Sequence, residues 1–109
     1  MQPIVIDGHD LLPRTGQFYD IAQGQKRLPL AFWPGRLLYV RDERDGVEYF
    51  GQLGRSGHLL RECNIFGKRV VDGKVVGEAM NVTLPAKQTT LLGWSTLDDH
   101  ADYDMDDDE

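Results

Sequence analysis

Apolar residues along this chain come in short runs, and nearly every run ends at a glycine, a proline or an Asp-Gly pair. Ile4, Val5 and Ile6 stop at Asp7-Gly8, and residues 28–33 stop at Pro34-Gly35. Residues 36–42 and 47–53 flank Glu43-Arg44-Asp45-Gly46, whose closing Asp-Gly is the signal of a tight hairpin. Val70-Val71, Asp72-Gly73 and Lys74-Val75-Val76 predict a second hairpin. From residue 75 to 84 the chain alternates, with Val76, Met80, Val82 and Leu84 on one face and Glu78 as the exception. Residues 89–96 make a last apolar strand. Helical windows are few. Residues 18–23 predict a single turn, and residues 56–64 fit two helical turns or a strand equally well. The fold class expected is all-β: a small barrel or sandwich, OB-like or SH3-like, with at most one short helix.

Parity fixes more than the class. A four-residue loop at 43–46 sets Tyr39 opposite Phe50 and Arg41 opposite Glu48. Leu38, Val40, Val47, Tyr49 and Leu53 then share an apolar face, which is the expected core. Leu37, Tyr39, Arg41, Glu48, Phe50 and Gln52 share the other face. Two rings, a cation and an amide are unusual on a plainly solvated surface. Either a ligand binds that face or another segment of the chain covers it.

Charge divides the 109 residues unevenly. All 12 Lys and Arg lie in residues 1–97 against ten acids, a balance of +2, while the whole chain is −6. The difference lies in eight acids: Asp98, Asp99, Asp102, Asp104, Asp106, Asp107, Asp108 and Glu109. The organisation expected is a compact β domain over 1–97 and an acidic, disordered tail over 98–109. Composition, 40% hydrophobic and 28% charged, is that of a globular domain. No apolar run approaches the ~20 residues of a membrane-spanning helix. The first residues carry neither a basic region nor a long apolar stretch, so no secretory signal is expected. A lone cysteine, Cys63, points to a reducing, cytoplasmic setting and to a buried, inert thiol.

Chemistry-bearing motifs are thin. Asp7-Gly8-His9-Asp10 groups two carboxylates and an imidazole, but without a second cluster it fits a turn followed by a polar loop. Asp102-Tyr103-Asp104-Met105-Asp106 alternates like a calcium loop but lacks its glycine and its closing glutamate. The glycines between 51 and 57 match neither dinucleotide nor phosphate-loop spacing. No catalytic group, metal or cofactor is expected, and Trp33 between prolines fits a core or lid position.

The function expected is therefore non-enzymatic. Rings interleaved with cations suit single-stranded DNA or RNA, with bases stacked on Tyr39 and Phe50. Arg41, Arg55, Arg61, Lys68 and Arg69 would follow the phosphates. The acidic tail would restrain that binding or dock a basic protein surface. The general layout, a small barrel with a basic, aromatic face and an acidic tail, resembles single-stranded-DNA-binding proteins. It departs from them in ending Asp108-Glu109 where the bacterial members carry an apolar tip. The alternative is a small protein-interaction module of viral or mobile-element origin: an inhibitor, a nucleic-acid mimic or an assembly subunit. It would act through the tail or a strand edge, and a homodimer is compatible with it. Under that alternative Tyr39 and Phe50 are an ordinary cross-strand pair beneath another segment.

Overall fold

The computed structural model describes residues 4–23, 35–54 and 61–95. Seven strands, β1 (Ile4–Ile6), β2 (His9–Gln17), β3 (Leu37–Asp42), β4 (Val47–Leu53), β5 (Glu62–Val71), β6 (Lys74–Pro85) and β7 (Thr89–Ser95), form one antiparallel sheet. A six-residue helix, α1 (Phe18–Gln23), follows β2, and a 3-10 turn (Ala86–Gln88) joins β6 to β7. The protein is all-β. Spatial order is β1-β2-β7-β3-β4-β5-β6, so β1 and β6 are the two edges of the sheet among the described residues.

Local chemistry accounts for the hairpins. Asp7-Gly8 and Asp72-Gly73 each hold both central residues at positive φ, the mirror-image turn whose twist matches paired strands. The loop at 43–46 has four residues and pairs Tyr39 with Phe50 and Arg41 with Glu48, as parity predicted. Asp42 organises that loop. Its buried carboxylate accepts hydrogen bonds from the Arg44 backbone N–H at 2.9 Å, Nε at 3.1 Å and Nη2 at 2.9 Å. Those bonds hold the Asp42 carboxyl below the ordinary range for an aspartate. A depressed native pKa stabilises the fold above the unfolded value of ~3.9. That stabilisation is lost as pH falls through the lower native value. We expect Asp42→Ala to cost about 1–2 kcal/mol at neutral pH. The gap between parent and variant urea midpoints should narrow as pH falls below the ordinary aspartate range, and parallel curves would refute the assignment.

The main core lies on the face parity assigned to it. Leu38, Val40, Leu53, Cys63, Ile65, Leu84 and Leu91 are buried there, with Phe18 of α1 and Ala86 of the 3-10 turn laid over them. Cys63 is fully buried and its thiol is pushed up by desolvation. One expectation changes and one open alternative is resolved in part. Residues 9–10 are not a polar loop: they continue as β2, paired with β1 through Ile6↔His9 and Val5↔Asp10. Between 56 and 64, Glu62, Cys63 and Asn64 belong to β5; the remainder of that window before Arg61 lies outside the described residues. The run 28–33, Trp33, Arg55 and the tail also lie outside them.

Candidate functional site

The second face of the sheet decides the fate of the aromatic pair. Tyr39 and Phe50 are directly opposed, and Lys68 of β5 stands opposite Phe50. A register shift in β2 between Pro13 and Gly16 bends that strand. Beyond the bend, Ile6 and Leu11 of the first hairpin pack with Phe50 and Val70, and Ile4, Leu37, Tyr39 and Val75 border the same cluster. The His9 ring lies 5.7 Å from that of Phe50. Strands three places apart in the sheet order touch here, so the β1–β2 hairpin folds back across the face. Phe50 is left 6% exposed, and its ring is unavailable for stacking without opening the hairpin.

The polar groups of that face are also engaged. The Tyr39 hydroxyl donates to Glu48 Oε1. Burial first, and the adjacent Glu48 second, push the Tyr39 pKa up to about 12. Arg41 Nε pairs with Glu43 Oε2 at 2.8 Å, and the Thr90 hydroxyl donates to the same oxygen. The Thr90 bond, then Arg41, hold Glu43 below the usual carboxylate range. Of the cations expected to track phosphates, Arg41 is thus partly neutralised. Lys68 is half-buried beside Phe50, and Arg61 is exposed at the turn leading into β5. Arg69 is exposed but projects from the opposite face, paired with Tyr49 and Val76. The expected residues therefore divide between two sides of the sheet.

A different surface is exposed among the described residues. β6 pairs with β5 and, among the described residues, with no other strand. The distal half of this hairpin, the arm, lies outside the main core: its reverse face is packed, with Val70 buried in the second cluster and Val75 against it, and its other face is exposed. Directly paired residues project to the same side, so the core face of the arm carries Arg69 and Val76, Gly67 and Met80, and Val71 and Lys74. Val71, Val76 and Met80 are 43%, 39% and 43% exposed. Tyr49 is half-buried next to Arg69. Its hydroxyl pKa is raised by burial first and by Asp45 and Asp42 after it, with Arg69 and Arg44 opposing. On the reverse of the arm, Phe66 is 50% exposed opposite Asn81.

The periodicity of residues 75–84 identified this strand and its apolar face. Of that face only Leu84 is fully buried, with Val82 packed at the core margin. Val76 and Met80 lie where the arm has left the core. The visible sign was the interruption by Gly77 and Glu78, where the structure places a register shift that sets Arg69↔Val76 and Gly67↔Met80 around one residue of β5 and three of β6. Among the described residues no group of three His, Cys, Asp or Glu side chains is arranged to hold a metal ion. No helix there is long and apolar enough to cross a membrane. No protein-family model, curated protein or solved structure matches this chain.

Proposed function

We propose that this chain is a protein-interaction module whose docking surface is the β5–β6 arm. One observation carries this reading: β6, a twelve-residue edge strand among the described residues, bears exposed Val76 and Met80, with exposed Val71 of β5 across from Lys74. An unpaired edge offers a row of backbone donors and acceptors to an extended segment, and natural folds usually shorten or cover such an edge. β1, the opposite edge, is only three residues long. Arg69 and Lys74 set two cations beside Val76 and Val71, against the arm's own acids Asp72 at the tip and Glu78 in β6, and these cations favour an extended partner segment alternating acidic and apolar residues. Nucleic-acid binding through Tyr39 and Phe50 is the weaker reading, because the first hairpin would have to leave the face for the buried Phe50 ring to stack.

The test uses the full chain with its eight tail acids changed to Asn or Gln, so that the tail cannot compete. A fluorescent twelve-residue peptide of alternating Asp and Leu should bind at low salt, and Met80→Asp should weaken it about tenfold or more, an effect of ~1.4 kcal/mol. Saturable binding of oligo-dT with no binding of the peptide would overturn the interaction-module reading in favour of nucleic acid.

A further inference from the structure

The partner segment that suits the arm occurs in the chain itself. Residues 102–106 read Asp-Tyr-Asp-Met-Asp, an alternation that places Tyr103 and Met105 on one side of an extended strand and three acids on the other. Asp107, Asp108 and Glu109 follow. Toward its tip the arm presents Met80, then Val76 level with Arg69, then Val71 level with Lys74.

Geometry permits the contact within one molecule. Trp94, Leu38, Gly51, Gly67 and Met80 form one continuous row of paired residues across β7, β3, β4, β5 and β6. Four strand spacings of ~4.8 Å put Met80 roughly 19 Å from Trp94 along the sheet. A segment beside β6 lies one spacing further, roughly 24 Å from Trp94, and the nine residue steps from Trp94 to Tyr103 span about 30 Å when extended, at ~3.3 Å each. Tyr103 therefore reaches the level of Met80. A chain crossing there and turning toward the hairpin tip runs antiparallel to β6, since β6 itself leads from Lys74 at the tip back to Pro85. In that direction Tyr103 and Met105 meet Met80 and Val76 first, with Arg69 beside Val76, and the run of acids that follows meets Lys74. Apolar and charged complementarity then fall in the same order along both segments.

We infer that residues 102–109 dock along β6 in the same molecule, as a built-in occupant of the arm that an external acidic segment must displace. This rests on the interaction-module reading above and adds to it the identity of the resident segment. Competition of this kind makes partner affinity depend on salt and on the tail, because the contact is partly electrostatic.

The experiment places a nitroxide at residue 101 through Ala101→Cys in the full chain. Fully buried Cys63 leaves the introduced thiol as the reactive one. Amides of β6 between 76 and 82 should lose intensity at low salt and dilute protein, and those of Asp7 and Gly8 should not. The loss should disappear at 1 M salt, where the screening length is ~3 Å, and in an Arg69→Glu, Lys74→Glu double variant. No intensity loss on β6, or a loss that vanishes on dilution, would overturn the contact. The free peptide of residues 98–109, added to the tail-neutralised chain, separates the two readings. If it binds β6 while the attached tail does not, only the resident-segment inference falls; if neither it nor the Asp-Leu peptide binds, both fall.

Discussion

Gly67→Ala should be among the most damaging single substitutions in this protein, costing about 3 kcal/mol or more. Gly67 of β5 stands directly opposite Gly51 of β4. A Cβ added at Gly67 would lie 2.1 Å from the Phe50 carbonyl oxygen and 2.5 Å from Gly51 Cα. One added at Gly51 would lie 2.3 Å from the Phe66 carbonyl oxygen and 2.5 Å from Gly67 Cα. Both obstacles are backbone, so no rotamer change relieves them. β4 and β5 must separate, breaking the ladder between the core and the arm. Domains of this size have roughly 5–15 kcal/mol of stability in total, so the variant should show a large fall in its urea midpoint. Gly54→Ala is the control, because its added Cβ meets nothing closer than the Asn64 oxygen at 3.7 Å. A Gly67→Ala midpoint equal to that of Gly54→Ala would show that the close approach is not what the fold depends on. Loss of the ladder should also abolish binding at β6, since that strand is positioned through β5.

Phe18→Ala should cost about 3–5 kcal/mol. The Phe18 side chain is fully buried and belongs to the same cluster as Leu38, Val40, Leu53 and Leu91. It opens a helix of six residues, far too short to be stable without tertiary packing. Truncation therefore removes both a large apolar group and the anchor that holds α1 on the sheet. Phe66→Ala provides the comparison: that ring is 50% exposed on the reverse of the arm, and its loss should change stability by about 0.5 kcal/mol or less. Chemical unfolding of the two variants side by side distinguishes a core role from a surface role. Equal effects would mean that α1 contributes little to holding the main core together.

The candidate site was legible in pieces. Asp72-Gly73 and the alternation after it marked the arm, because a hairpin turn and its register depend on residues adjacent in sequence. Its exposure was not legible. Val76 and Leu84 show the same apolar character on the same face, and only their position relative to α1 and the 3-10 turn makes one surface and the other core. That Arg69 projects from the face opposite Tyr39 and Arg41 was not legible either. Nearness along the chain does not settle facing across three strands, where one residue of register moves a side chain to the opposite side.

By itself the sequence determined the all-β class, the three Asp-Gly turns, the single turn of helix at 18–23 and the Tyr39–Phe50 pairing. All of these follow from contacts within a few residues or across one tight loop. It also set out the division between a weakly basic body and eight clustered acids. Tertiary structure decided which of the two faces of β3 and β4 is available. The bend in β2 brings Ile6, His9 and Leu11 over Phe50, about forty residues away along the chain. That closure depends on how far the sheet coils, a sum of twists and bulges over several strands that no local pattern encodes. Among the described residues the strand order leaves β6 as the long edge.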